Sequence, residues 1–84
     1  MSKVYFHIRE GDHLIRDEEG AEVADLADAK REAEASLHDM LAEDIKNQRP
    51  VQHRVIDITD EAYNILATVE MRAAVKMVQE TKTE

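Results

Sequence analysis

The residues most capable of chemistry lie near the start of the chain, in the segment YFHIREGDHLIRDEEG, residues 5–20. His7 and His13 have five residues between them, and acidic residues crowd around them (Asp12, Asp17, Glu18 and Glu19). Imidazole nitrogens and carboxylate oxygens bind transition metals and also serve as general acids and bases. The segment therefore raises two hypotheses: a metal or small-ligand site, and a hairpin with a charged rim.

The loop length of the hairpin decides whether the histidines can act together, because side chains alternate between faces along a strand. A two-residue loop, Glu10-Gly11, sends the two histidines to opposite faces. A three-residue loop, Glu10-Gly11-Asp12, makes them diagonal neighbours on one face, where Asp17 could complete a metal site. The spacing is a weak signal for zinc, since strong signatures pair histidines one helical turn apart or pair CxxC units. We predict no metal and no cofactor, and a hairpin whose histidines face solvent or a partner.

The other acid–base candidates are also expected on the surface. Asp57 alternates outward between two isoleucines, and Asp60 and Glu61 fall in a turn, whereas a catalytic carboxylate pair needs one member in an apolar pocket. His38 lies one helical turn from Glu34 and away from the apolar stripe of its helix. GxSxG, P-loop, GxGxxG and HExxH motifs are absent from the sequence. These observations predict no catalytic residues and no enzyme.

Composition places the chain in one small domain, residues 1–84, with an ordered core of about residues 3–79 and a polar tail, residues 80–84. A chain of 84 residues buries only roughly 60–65% of its unfolded surface. It contains no cysteine, so neither a disulfide nor a cysteine zinc site can stabilise it. No apolar run has the length of a membrane span or of a signal-peptide core, which predicts a cytoplasmic protein without a membrane partner.

Charge is distributed unevenly. Between Glu10 and Asp44 there are thirteen acidic and three basic residues, whereas the rest of the chain has six acidic and eight basic residues. Phosphate contacts dominate nucleic-acid affinity, and a field this negative opposes them. We therefore predict no nucleic-acid partner.

Hydrophobic periodicity changes twice along the chain, which defines the elements that must position these residues. Apolar residues alternate in two pairs of segments, which predicts four strands (3–9, 13–16, 53–59 and 65–70). Between the pairs, apolar residues recur at helical spacing over residues 25–47, with Asp25 as N-cap. The fold class is therefore α+β: a ββαββ antiparallel four-stranded sheet with one long helix across one face and a short C-terminal helix. Asp44 falls on the apolar stripe, so we expect the last helical turn to overhang the core.

A surface for self-association is expected on the other face of the sheet. Seven residues form this candidate interface: Tyr5, Val55 and Leu66 of the strands, and Met71, Ala74, Val75 and Val78 of the C-terminal stripe. So small a monomer can scarcely cover both faces, and a two-fold dimer is the commonest closed solution. The alternative is that the C-terminal stripe folds back onto its own sheet.

The segments YFHIREGDHLIRDEEG, DLADAKREAEASLHDMLA and ITDEAYNILATV, in this order, resemble a family of short alphaproteobacterial proteins known as a domain of unknown function. The resemblance covers residues 4 to about 75 and implies no catalytic residues. The sequence departs from the family pattern after Asp60-Glu61 and at Glu70, which concerns the turn of the second hairpin. At the level of the fold, the Ala-rich acidic helix after a small hairpin also looks like partner-binding antitoxins.

The sequence thus leaves three functions open. The first is a non-enzymatic protein-interaction or regulatory module that forms a homodimer and binds an unidentified protein partner. The second is a metal- or small-ligand-binding protein that uses His7 and His13. The third is an antitoxin-like partner-binding protein.

Overall fold

The computed structural model describes residues 2–50 and 53–70, which form an α+β fold with an antiparallel sheet and one helix. The elements in chain order are β1 (Ser2–Glu10), β2 (His13–Ile15), β3 (Ala21–Val23), α1 (Leu26–Lys46), β4 (Arg54–Thr59) and β5 (Ile65–Glu70).

The sheet has the strand order β2-β1-β4-β5, and every pairing is antiparallel. β1 is long enough to pair with two short strands along the same edge: its end pairs with β2 and its start with β3. The prediction of four strands was therefore wrong, since the sheet has five. β3 is only three residues long, between the acidic loop and the helix, so it shows no alternating pattern. The predicted C-terminal helix lies outside the described residues.

The long helix is confirmed. Asp25 caps it as predicted, since its side chain accepts a 2.8 Å hydrogen bond from the backbone N–H of Asp28. Its stripe of small and aliphatic side chains, Ala29, Ala33 and Leu37, packs on one face of the sheet. The aliphatic core consists of these three residues and five strand residues (Val4, Val23, Ile56, Ile58 and Val69).

The last turn of α1 does not overhang the core, contrary to expectation. Asp44 is buried there and forms an ion pair with Arg54 of β4, with 2.9 Å between Oδ2 and Nη1. Glu10 lies 3.5 Å from the same guanidinium, and Arg49 lies 3.4 Å from Asp44. Hydrogen bonding to Asp44 raises the pKa of Arg54 although burial opposes it. A charge on the apolar stripe is tolerated because β4 supplies a counter-charge that sequence periodicity cannot reveal.

The first hairpin has a two-residue loop, Gly11-Asp12, because Glu10 pairs with His13. Gly11 adopts a φ of 61°, which favours glycine in so tight a turn. The two-residue loop considered from the sequence was Glu10-Gly11, so the observed loop is shifted by one residue. Both loops have the same consequence for the two histidines. His7 and His13 lie on opposite faces of the sheet.

The second hairpin contains a bulge. Ala67 pairs with Ile58, and Ile65 pairs with the following residue of β4, Thr59, so Leu66 is the extra residue. The bulge interrupts the strict alternation by which Ile65, Ala67 and Val69 would share a face. Ile65 is 63% exposed, whereas Val69 is buried.

Candidate functional site

The candidate site is the open face of the sheet, defined here as the face opposite α1. Its central residues are Tyr5, His7 and Arg9 of β1, Asp57 and Thr59 of β4, and Thr68 of β5. The antiparallel register between β1 and β4 creates the site, because it places His7 opposite Asp57 and Tyr5 opposite Thr59. Side chains at opposite positions of neighbouring strands lie about 5 Å apart at Cβ and can interact directly.

Asp57 is held by a bidentate ion pair and a hydroxyl group. Arg9 donates from Nε to Oδ2 at 2.8 Å and from Nη2 to Oδ1 at 3.1 Å, and Thr68 donates to Oδ1 at 3.0 Å. The hydrogen bond from Arg9 lowers the pKa of Asp57, with help from Thr68 and His7 and against the effect of burial. The prediction of a solvated Asp57 was wrong, since the residue is only 8% exposed. Its carboxylate is fully engaged within the protein.

Both ring nitrogens of His7 are also engaged. The backbone N–H of Asp17 donates to Nδ1 at 3.1 Å, and Nε2 lies 3.0 Å from Oγ1 of Thr59. An Nδ1 that accepts an N–H carries no proton, so the geometry assigns the tautomer with hydrogen on Nε2, which donates to Thr59. In this state the ring is a structural group and does not form a His–Asp pair with Asp57.

Aromatic rings cover His7. The Tyr5 ring lies 6.3 Å from it, nearly parallel, and the Tyr63 ring lies 5.3 Å from it. His7 is therefore only 5% exposed, which contradicts the expected solvent- or partner-facing position. His13, His38 and His53 are exposed, as expected for the first two.

Asp17 fastens the acidic loop onto β1. Its Oδ2 accepts the backbone N–H of Phe6, and its Oδ1 accepts those of Glu19 and Gly20, each at 3.1 Å. Burial raises the pKa of Asp17, but these backbone hydrogen bonds and His7 outweigh it and leave the pKa below its ordinary value. Gly20 is needed here, because its φ is 75° and a Cβ would lie 2.9 Å from the Tyr5 ring.

Tyr63 reaches His7 from the loop between β4 and β5. Asp60 organises this loop: its Oδ1 accepts the backbone N–H groups of Ala62 and Asn64, both at 2.9 Å. The side chain and backbone of Asn64 lower the pKa of Asp60. Tyr63 itself adopts a φ of 67°, which is unfavourable for a residue with a Cβ.

A cleft of about 290 Å³ lies between the two loops. Seven residues line it: Tyr5, Arg16, Asp17, Glu18, Asp60, Glu61 and Tyr63. The guanidinium carbon of Arg16 lies 5.8 Å from the centre of the Tyr63 ring, so one ring of the cleft already faces a cation. The carboxylates of Asp17 and Asp60 are occupied by their own loops. The two tyrosine rings, together with Glu18 and Glu61, are the lining groups that suit a positively charged ligand.

The two histidines considered as metal ligands are separated in the structure. His7 and His13 cannot share an ion from opposite faces of the sheet. In residues 2–50 and 53–70, no three histidine or carboxylate side chains come together as metal ligands would.

The candidate interface is placed only in part. Tyr5 and Val55 are half-buried on the open face, and Leu66 is 44% exposed at the bulge. Met71, Ala74, Val75 and Val78 lie outside the described residues. The centre of the open face is polar, so it differs from the continuous apolar surface that the sequence predicts.

Sequence reasoning missed Arg9, Thr59, Thr68 and Tyr63 as parts of one cluster. Strand alternation alone puts His7 and Arg9 on one face. Their partners depend on the register between β1 and β4, which are 44 or more residues apart in the chain. That register carries no local signal.

Comparison with known proteins gives one result. No curated protein and no solved structure matches the chain. No helix among the described residues has the length and apolar character that a membrane crossing requires. A family described as Domain of unknown function (DUF6894) matches residues 3–72, which is most of the sequence. The chain therefore belongs to the DUF6894 family.

Proposed function

We propose that the protein is a non-enzymatic protein-interaction or regulatory module that works in the cytoplasm as a homodimer. The supporting observation is the position of its exposed apolar side chains. Five of the seven large ones among the described residues lie at the two edges of the sheet: Leu14 and Ile15 on β2, Tyr63 just before β5, and Ile65 and Leu66 at its start. The other two, Leu26 and Ile45, lie on α1. Exposed apolar clusters on a small protein are typical of surfaces that bind other proteins.

Self-association is the simplest use of such a surface. A chain of 84 residues has little interior, and contact with a second copy buries apolar surface that the monomer leaves exposed. The stripe Met71, Ala74, Val75 and Val78 would add to the contact, a contribution supported by its helical spacing in the sequence alone. The protein partner of the dimer would be recognised by whatever apolar surface dimerisation leaves uncovered.

Light scattering of the full chain tests this function over a range of concentrations. We expect the mass of a dimer at tens of micromolar, with dissociation on dilution. A chain ending at Glu70 locates the contact: a dimer in this shorter chain assigns it to the strands, and a monomer assigns it to the C-terminal stripe. A monomeric full chain at tens of micromolar would contradict the proposal.

A second candidate function is the binding of a small cationic ligand. The observation that favours it is the cleft beside His7, where Arg16 already faces the Tyr63 ring. This candidate replaces the hypothesis from the sequence that His7 and His13 bind one ligand together. The two tyrosines of the chain both line this cleft and there is no tryptophan, so tyrosine fluorescence reports on the cleft alone.

Titration with a blocked arginine derivative tests this candidate. We expect a saturable fluorescence change that Arg16→Gln strengthens, because it removes a competing cation. Arg31→Gln is the matched control: it changes the net charge equally but lies on α1, away from the cleft. Equal effects of both variants would indicate general attraction to an acidic protein and would exclude the site.

A further inference from the structure

The neutral ring of His7 helps to attach the acidic loop, residues 16–20, to β1. We propose that protonation of His7 at Nδ1 releases this loop, so that the cover of the open face opens reversibly in mildly acidic solution. The device lies within one chain, so it goes beyond the proposed function and does not depend on dimerisation.

Asp17 is bound to β1 through both its backbone and its side chain. Its N–H donates to Nδ1 of His7, and its Oδ2 accepts the N–H of the neighbouring Phe6, each at 3.1 Å. The loop crosses the gap between β2 and β3 along one edge of β1, since β2 pairs with residues 8–10 and β3 with residues 2–4. The two hydrogen bonds of Asp17 therefore take the place of strand pairing on this part of β1.

A second proton on His7 conflicts with the closed loop. Nε2 already carries a hydrogen, which it donates to Oγ1 of Thr59 at 3.0 Å. The next proton must go to Nδ1, where it would point at the N–H of Asp17, and two donors cannot form a hydrogen bond with each other. A buried charge without a hydrogen-bond partner is costly, and His7 is only 5% exposed. Protonated His7 and the closed loop are therefore incompatible.

The charged groups around His7 do not remove this conflict. The carboxylates of Asp17 and Asp57 attract a positive ring, and Arg9 on the same face repels it. Arg9 and Thr68 already donate to Asp57, and three backbone N–H groups donate to Asp17. At Nδ1 the facing atom is a donor, so neither carboxylate can accept the new N–H while Asp17 stays in place. Other titratable groups on the elements around His7 are Tyr5 of β1, Arg16 and Glu18 of the acidic loop, and Asp60, Glu61 and Tyr63 of the loop between β4 and β5.

The direction of the pH dependence follows from this incompatibility. The closed loop requires the neutral ring, whereas an exposed imidazole takes up a proton near pH 6.5. A fall in pH below this value therefore shifts the population towards the open loop, by a factor that approaches about ten for each pH unit. The pKa values of Asp17 and Asp57 lie below the ordinary carboxyl value, so both side chains stay charged in this range.

Release of the loop also changes the cleft. Asp17 and Glu18 line it from the acidic loop, and Asp60, Glu61 and Tyr63 line it from the loop between β4 and β5. When the acidic loop leaves β1, the two sides separate and the ring of His7 meets solvent. The cleft is then closed at neutral pH and open in mild acid.

Hydrogen exchange measured by NMR tests the release. The protection factor compares the exchange rate of an amide in the protein with its rate in a free peptide at the same pH. We expect the protection factors of the Asp17 and Phe6 N–H groups to fall about tenfold between pH 7.5 and 5.5. Ile56 lies on β4, which is paired on both sides, so its N–H should keep its protection factor.

Two asparagine variants identify the group that takes up the proton. His7→Asn keeps an oxygen near the position of Nδ1 that can accept the Asp17 N–H, but this oxygen takes up no proton in the same range. Its protection factors at Asp17 and Phe6 should not change with pH. His13→Asn is the matched control, because His13 is exposed and lies on β2, just before the same loop. This variant should show the same pH dependence as the parent.

A constant protection factor at Asp17 in the parent between pH 7.5 and 5.5 overturns the proposal, whether or not His7→Asn folds. An equal fall at Ile56 would indicate cooperative unfolding of the sheet. A fall that persists in His7→Asn, or that His13→Asn abolishes, would assign the proton to another group. Each of these results also overturns the release of the loop by His7.

Discussion

The two faces of the sheet are covered by different means. Under α1 the contact is aliphatic, and Leu37 and Ile58 are completely buried there. The open face has no helix over it in the described part of the chain, yet His7, Asp57 and Thr59 are buried almost as well. Two loops and two tyrosine rings cover them, and each polar group has a hydrogen-bond partner.

The difference shows how a domain with one long helix can cover a second sheet face. A buried polar group is costly only when it lacks a partner. Within residues 2–50 and 53–70, no buried side-chain nitrogen or oxygen lacks one. The helix face should therefore respond to inserted charge and lost volume, whereas the open face should respond to protonation and to the conformation of its covering loop.

The largest effect is expected at the centre of the helix face. Leu37→Asp places an unpaired charge at a position with 0% exposure, and the cost of several kcal/mol exceeds the stability that a domain of this size can spare. We expect loss of the cooperative melting transition in circular dichroism. Ala35→Asp, on the exposed side of the same helix, is the control and should melt like the parent. Equal melting of Leu37→Asp and the parent would contradict the assignment of the buried stripe.

The next effect concerns the charged end of the helix face. Asp44→Ala leaves Glu10 as the remaining salt-bridge partner of the buried Arg54 among the described residues, and we expect a loss of about 3 kcal/mol, because a buried charge without its main partner is unfavourable. Arg54→Met in the same chain should recover most of this loss in urea unfolding. Glu32→Ala, exposed on α1 and twelve residues before Asp44, should have little effect. Failure of the double variant to recover stability would mean that packing, and not charge, causes the loss.

These two variants also mark how far the sequence predicts the fold. The stripe around Leu37 follows from helical periodicity, the N-cap at Asp25 from the residue type at the helix start, and the two hairpins from strand alternation. The pairing of Asp44 with Arg54 could not be predicted, because periodicity reports which face a residue occupies but not what lies opposite. The candidate site could not be predicted for the same reason. Alternation places His7 and Arg9 on one face, but only the register between β1 and β4 brings Asp57 and Thr59 next to them.

On the open face, the expected effect is smaller and depends on pH. The pKa of Asp57 is lower in the folded protein than in the unfolded chain, mainly because of the hydrogen bond from Arg9. Its contribution to the free energy of unfolding is therefore complete above the ordinary carboxyl pKa of about 4 and is lost as the pH falls through the lower, folded value.

Asp57→Asn tests this contribution. At pH 7 we expect a loss of about 1 kcal/mol in urea unfolding, because the half-exposed Arg9 limits the strength of the pair. The difference from the parent should shrink as the pH falls below about 4. Glu61→Gln, in the exposed loop, should unfold at nearly the same urea concentration as the parent at pH 7. A difference that stays constant with pH would show that Asp57 acts through shape and not through its charge.

The smallest effect is expected at Tyr63, where the loop that covers the open face departs from favourable backbone geometry. Its φ of 67° disfavours any residue with a Cβ by about 1 kcal/mol relative to glycine. Both Tyr63→Ala and Tyr63→Gly remove the ring from His7, so their difference contains only backbone effects: glycine relieves the positive φ but gives the unfolded chain more freedom. Ala62 has no positive φ, so the cost of Ala62→Gly measures the second effect alone. In urea unfolding, replacing alanine by glycine should therefore be about 1 kcal/mol more favourable at position 63 than at position 62. Equal effects at the two positions would show that the conformation of Tyr63 stores no strain.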